Sequence, residues 1–322
     1  MSSGPLPDID TEYRQIREEC GLLERSDRFC LTVNGTEAAE FLQGQVTNEI
    51  EKLEVGKGCY AALLNRKGHL QADMRILHAK ENEFWVDTEG SAGPKVLKHF
   101  SMYKVGRDAN VEAADRRIFT LAGPGSFEVT GIAPGNEYSS AETTIGGTEC
   151  LVVSTNLGLD VIAPGESAGK VVAELESRRA VPVSAEALEI LRVESGRPRF
   201  GFEMTEKTMP AEAGIVEEAV NFTKGCYIGQ EPVARLHYKG RPNRHLRGLR
   251  FDAAVETGSP VHLGDRELGS IGTAVLSPAS GQIGMAILRK EAEPGATVTV
   301  TSAGNEVEAR VVDLPFIEDL LR

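Results

Sequence analysis

Apolar positions along the first third of the chain switch repeatedly between a helical and a strand period. EYRQIREECGLLER places Tyr13, Ile16, Cys20 and Leu23 on one helical face, with Gly21 interrupting the run near its end. RFCLTVNG then alternates as a strand and closes on an Asn-Gly turn, and TEAAEFLQGQV reads as a helix with Thr36 as its cap. The runs CYAALLN, LQADMRILHA and FWVDT, separated by turns at RKG and KENE, predict a meander of strands. SAGPKVLKHFSMY returns to helix, with Pro94 near its start. Residues 117–163 alternate β-rich runs (RIFTLAG, ECLVVST, LGLDVIAP) with Gly and Pro turns, and KVVAELESRRA is a helix after them.

Strands and helices therefore mix without a regular parallel repeat, which predicts an α+β region over 1–245, built as two interleaved lobes. From 246 the pattern changes to short strands between turns (HLRGLRF, PVHL, SIGTAVLS, IGMAILR, TVTVTS, VEARVVDL), the mark of a C-terminal all-β barrel or sandwich over 246–322. The tetrapeptide KGCY occurs at 57–60 and again at 224–227 without longer similarity around the copies, and is read as coincidence.

The 322 residues suffice for two or three compact units, and 41% hydrophobic with 26% charged residues is globular composition. A net charge of -13 disfavours non-specific attraction of the whole molecule to nucleic acid or an anionic membrane. One segment runs against this trend: RLHYKGRPNRHLRGLR, residues 235–250, carries five Arg, one Lys and no acid. It reads either as a solvated linker or as a seat for an anionic ligand tail. The polar, acidic opening residues resemble neither a secretory signal nor a basic transit peptide, and no segment is long enough to span a bilayer. Five widely spaced cysteines without a CxxC pair suit a reducing cytoplasm and argue against an all-cysteine metal site. Cys20, Cys30, Cys59 and Cys150 sit among apolar neighbours as buried fillers.

The densest chemistry lies in TKGCYIGQE, residues 223–231, where Lys224, Cys226, Tyr227, Gln230 and Glu231 crowd around two glycines. GQEPVARLHYKG reads as a helix start with Pro232 in the first turn. Cys226 would then sit just before a helix N-terminus and two residues from Lys224. Both favour a thiolate, below the free thiol pKa of about 8.5; the alternative is a structural thiol beside a tight turn. Upstream, SAEALEILRVESGRPRFG predicts a helix from Ala185 to Ser195, ended by Gly196 and Pro198. Glu194 shares the apolar face of Ile190 and Leu191, so its carboxylate needs a partner: Arg192, Arg197, or a ligand that donates hydrogen bonds. GESAG, residues 165–169, matches a nucleophile elbow at Ser167, but the all-β region that follows lacks the order of partners a hydrolase needs, and a Ser at a helix start is ordinarily a cap.

KGCYIGQE followed by VARLHYKG resembles the signature of the YgfZ-type folate-binding proteins, relatives of the T-protein (aminomethyltransferase) of the glycine cleavage system. RVESGRPRFGFEMTEKTMPAEAG resembles the segment both groups carry ahead of that signature. FLQGQVTNEI and LLNRKGHLQADMRIL resemble their N-terminal region, and GSIGTAVLSP the glycine-rich start of their C-terminal barrel. The resemblance implies three subdomains around a central channel that binds tetrahydrofolate. Glu194 matches the glutamate that holds the pterin, Lys224 and Cys226 match the signature lysine and cysteine, and Tyr227, Gln230 and Glu231 lie in the loop implied to border the channel. Arg235, Arg244 and Arg247 in the basic segment would meet the glutamate tail. The YgfZ branch is associated with maintaining iron-sulfur enzymes, including tRNA-modifying ones, so the implied partners are iron-sulfur client or assembly proteins in the cytoplasm, with no direct nucleic acid and no membrane. Where the T-protein carries two adjacent acids, this chain has Ala72 and Asp73, which leaves Asp73 as the acid or base of an aminomethyltransferase, the alternative function.

Overall fold

The computed structural model describes residues 8–318, which form three β-sheets with helices packed on them. The predicted meander becomes a five-stranded antiparallel sheet in the order Gly58–Leu64, Leu70–Lys80, Glu83–Glu89, Arg28–Asn34, Asn110–Ala113. Its faces are sorted by the two-residue period of a strand. Leu70, Ala72, Met74, Ile76, Phe84, Val86, Leu31 and Val33 point one way, onto the helices Ala38–Gln45 and Gly93–Tyr103. There Phe41 and Phe100 meet edge to face with ring centroids 5.8 Å apart. Each large side chain buried in this core contributes about 1.5 to 3 kcal/mol. Thr36 does not cap the first of these helices: Glu37 is the N-cap residue, and the Thr36 hydroxyl donates to Asp108, 2.6 Å away. A carboxylate brought from another loop took the hydroxyl that the helix end would have used.

A second, six-stranded sheet runs Val181–Pro182, Gly21–Glu24, Arg116–Ala122, Gly158–Pro164, Thr148–Thr155, Ser140–Ile145. The chain thus starts in this sheet, leaves to build the five-stranded one, and returns. Phe119, Leu121, Val152, Leu159 and Val161 face the helix Ala168–Ser177. The opposite faces of the two sheets meet each other. At one end of that contact the filling is apolar, with Cys30, Leu77, Ala79, Ile118, Leu151, Val153 and Ile162; at the other end it is charged.

The helix Ala185–Glu194 is capped by Ser184, whose hydroxyl accepts from the Ala187 N–H at 3.2 Å. It packs between the N-terminal helix Ile9–Glu18 and the strand Thr273–Ser277. The C-terminal unit is a seven-stranded sheet whose first strand begins at Arg244. It curls into a half-barrel around Leu249, Val261, Leu288, Val300 and Val311. Among the described residues no helix is long and apolar enough to cross a membrane.

Candidate functional site

The charged end of the inter-sheet contact encloses a cavity of about 210 Å³. The same alternation that sends Ala72 and Met74 into the helical core turns Asp73 and Arg75 toward this cavity, and Asp87 and Glu89 follow from the next strand. Opposite them, Thr120 and Asp160 come from the six-stranded sheet. Arg75 joins the two sheets: its Nε donates to Asp87 Oδ2 and its Nη1 to Asp160 Oδ2, both at 2.7 Å. Arg28 takes the other Asp87 oxygen at 2.5 Å and Glu89 at 2.9 Å. Arg199 continues the chain of pairs to Glu89, at 2.8 Å, and to Asp27. Burial pushes the Asp87 carboxyl up, but Arg75 and Arg28 outweigh it and hold it below the usual carboxylate range.

Asp73 differs from every carboxylate around it. The Tyr60 hydroxyl donates to its Oδ2 at 2.7 Å, and its Oδ1, also buried, has no hydrogen-bond partner among the described residues. Burial raises its pKa, with the Arg28 charge and the Tyr60 hydrogen bond opposing. A buried polar atom left unpaired costs free energy unless a ligand supplies the partner. Ala72, the position at which the sequence resemblance implies a second acid, is wholly buried on the opposite face of the strand, so an acid there would enter the apolar core rather than the cavity. The cavity shares the wall made by Arg192, Arg197 and Arg199 with a second hollow of about 380 Å³.

The signature segment is built differently. Lys224 is buried, and its ammonium spends all three protons on the carbonyls of Gln43, Val46 and Asn48, at 2.6 to 2.7 Å. It fastens the signature loop to the end of the helix Ala38–Gln45. Burial draws its pKa down to about 8. Tyr227 is buried in the core of the five-stranded sheet, its ring 5.3 Å from the Lys224 ammonium. Gly229, at φ +85°, turns the chain into the helix Gln230–Lys239, and a Cβ there would come within 2.5 Å of the Asn65 carbonyl. Cys226 is exposed, whereas Cys20, Cys30 and Cys150 are buried as the apolar sequence context predicts and Cys59 is partly so. Burial pushes the thiols of Cys20, Cys30 and Cys59 up to about 12.

Glu194 is fully buried at the C-terminal end of its helix. Neither Arg192 nor Arg197 is its partner: Tyr13 donates to both its oxygens at 3.1 Å, and Ser277 donates to Oε1. Arg192 pairs with Glu189 and Glu203, and Arg197 with Glu137 and Glu218. Glu231 and Arg235 line an outer groove, Gln230 opens the helix, Arg244 is exposed at the first position of its strand, and Arg247 donates to the Ala292 carbonyl at 3.2 Å. Of the residues singled out in the sequence as site residues, Asp73 alone lines the central cavity among the described residues.

Tyr60, Arg28, Arg75, Asp87, Glu89, Asp160 and Arg199 were not singled out in the sequence. Their signal was present: charges at every second position of otherwise apolar strands, Asp73 and Arg75 in LQADMRIL, Asp87 and Glu89 in WVDTE, Asp160 in LGLDVIA. A strand buried on both faces tolerates such charges only where they are paired or meet a ligand.

A model of the GCVT N-terminal domain matches residues 5–224, and one of the glycine cleavage T-protein C-terminal barrel domain matches residues 244–318. An aminomethyltransferase of Rubrobacter xylanophilus is 27% identical over 96% of this chain and 86% of its own length. One of Symbiobacterium thermophilum is 28% identical over 95% and 88%. The glycine cleavage system aminomethyltransferase T of Bartonella henselae superposes with a TM-score of 0.86, covering 97% of this chain and 90% of that one at 22% identity, which shows a shared fold. The chain belongs to the glycine cleavage T-protein family.

Proposed function

We propose that this protein binds tetrahydrofolate in the inter-sheet cavity and transfers a one-carbon or aminomethyl group there, with Asp73 as its acid or base. The observation that carries the reading is the buried Oδ1 of Asp73, unpaired among the described residues, in a cavity whose other lining carboxylates Asp87, Glu89, Glu137, Asp160 and Glu218 are each paired with an arginine. An N–H of a reduced folate fits that oxygen, and a carboxyl whose pKa is raised by burial suits proton exchange nearer neutral pH. Bound tetrahydrofolate would supply the nitrogens that accept the one-carbon unit. The protein's part is to exclude water, hold the folate against the arginine-lined wall and move a proton at Oδ1, while Tyr60 keeps the carboxylate turned. The aminomethyltransferase relatives favour this reading. Calorimetric titration with tetrahydrofolate, followed by turnover with glycine cleavage components, tests it. Asp73→Asn is expected to retain binding and lose on the order of a hundredfold or more in transfer. Wild-type protein that binds no tetrahydrofolate would overturn the reading.

A second reading, support of iron-sulfur enzymes by a folate-binding protein of the YgfZ type, is favoured by the exposure of Cys226 in the KGCYIGQE loop. In that case Cys226→Ser impairs iron-sulfur enzyme activity in cells while tetrahydrofolate affinity is unchanged. A Cys226→Ser strain with normal iron-sulfur enzymes would remove it.

A further inference from the structure

The helix Gln230–Lys239 and the turn at 65–68 together form a groove of about 730 Å³ on the outside of the molecule. Turn and helix are seated closely: a Cβ on Gly68 would come within 3.0 Å of Pro232 and 3.1 Å of Met209. Met209, Pro232 and Leu236 give the groove an apolar lining, and Arg66, Lys67, Arg235 and Lys239 give it four cations. Among the described residues none of these four makes an ion pair, although the groove contains Glu231. Around the central cavity, by contrast, Arg28, Arg75, Arg192, Arg197 and Arg199 are each held in an ion pair. Four uncompensated cations around one concavity, on a chain of net charge -13, are a local reversal of the molecule's electrostatics.

We propose that this groove docks an acidic segment of a partner protein that also carries apolar side chains, and so brings that partner to the exposed Cys226 in the loop leading into the same helix. The remainder of the acidic surface repels such a partner, so the groove sets its orientation as well as its place. Arginine and methionine beside an exposed tyrosine are the residue types that protein interfaces concentrate, and Tyr238, 68% exposed, stands on this helix with its ring against Phe222. Among the described residues no aromatic ring lines the groove itself, where the apolar contact comes from Met209, Pro232 and Leu236, which favours a protein over a nucleic acid in the groove. No residue lines both this groove and the central cavity, so the groove is not an extension of the folate site. The proposal stands whether or not folate occupies that cavity.

The test uses the full chain and a short fluorescent peptide of Glu and Leu, followed by anisotropy. The wild type is expected to bind it, more weakly as salt is raised, and not to bind the matching Lys and Leu peptide. Reversing two exposed cations with Arg66→Glu and Lys67→Glu is expected to weaken binding about tenfold or more, and Lys239→Glu alone to weaken it less, with circular dichroism unchanged. The peptide should also slow alkylation of Cys226. Equal affinity in the wild type and the double variant would overturn the proposal. So would displacement of the peptide by tetrahydrofolate triglutamate, which would make the groove a folate-tail site, or tighter binding of a single-stranded RNA of equal charge, which would make it a nucleic-acid site.

Discussion

The inter-sheet cavity and the 223–239 segment hold the same kinds of side chain and use them in opposite ways. In the segment, residues that look chemically active are close in sequence but dispersed in space: Lys224 faces inward to three carbonyls, Tyr227 enters the core, Cys226 faces solvent, and Arg235 belongs to an outer groove. In the cavity, residues far apart in sequence converge, with Arg75 holding Asp87 and Asp160 across two sheets. Proximity along the chain therefore marks the segment, while convergence in space marks the site. Adjacency in sequence does not make Lys224 a hydrogen-bond partner of Cys226, because its three protons go to the carbonyls of Gln43, Val46 and Asn48.

Substitutions in the two regions should separate these roles. The largest effect is expected at Arg75→Met, which leaves buried Asp160 without its arginine and Asp87 with Arg28 alone, and costs about 3 to 5 kcal/mol in urea unfolding; a loss under about 1 kcal/mol would mean that water already reaches these pairs. Lys224→Met comes next. It leaves three backbone carbonyls without their donor and is expected to cost about 3 kcal/mol, with no selective effect on Cys226 alkylation beyond that of unfolding. Faster or slower alkylation in a fully folded Lys224→Met protein would restore the link between the two side chains.

Asp73→Asn should act in the opposite direction and raise the thermal midpoint at neutral pH. The folded-state pKa of Asp73 lies above its unfolded value, chiefly through burial, so between the two the native state holds a proton that the unfolded state has released. Its favourable contribution is complete below the unfolded pKa and is lost as pH rises through the folded one. The advantage of Asn should therefore shrink as pH falls toward the ordinary carboxylate range, and an advantage independent of pH would show that Asp73 is not strained by burial. The smallest effect is expected at Cys226→Ser, within about 0.5 kcal/mol of wild type, with the buried thiols of Cys20, Cys30 and Cys150 reacting only on unfolding. A large loss of stability there would make Cys226 a packing residue.

Much of the architecture was legible in the sequence because it rests on short-range period. The meander, the helix from Ala185, the all-β character of the chain from 246 and the burial of Cys20, Cys30 and Cys150 follow from alternation, caps and turns. The partners of polar groups were not legible, because they come from distant segments. Glu194 is satisfied by Tyr13, 181 residues away, and Ser277, 83 away; Thr36 is taken by Asp108, 72 away. The resemblance to the T-protein led to the correct fold and to a residue, Asp73, that lines the central cavity. It could not show that the strand's alternation sends the neighbouring position 72 out of the cavity.

The placement of Gly21–Glu24 also constrains how the molecule is assembled. This strand lies between Arg116–Ala122 and Val181–Pro182, and Glu12 accepts from the Ser184 N–H at 2.9 Å. As the chain leaves the ribosome, the five-stranded sheet has all its strands once residue 113 has emerged, while residues 8–24 still lack their neighbours in the six-stranded sheet and the helix Ala185–Glu194. Such long loops are costly to close before their contacts form. The segment 8–24 is therefore expected to dock late, and pulse-labelled hydrogen exchange during refolding should protect the amides of Leu31 and Val33 before those of Leu22 and Leu23. Simultaneous protection would mean that the two sheets condense as one unit.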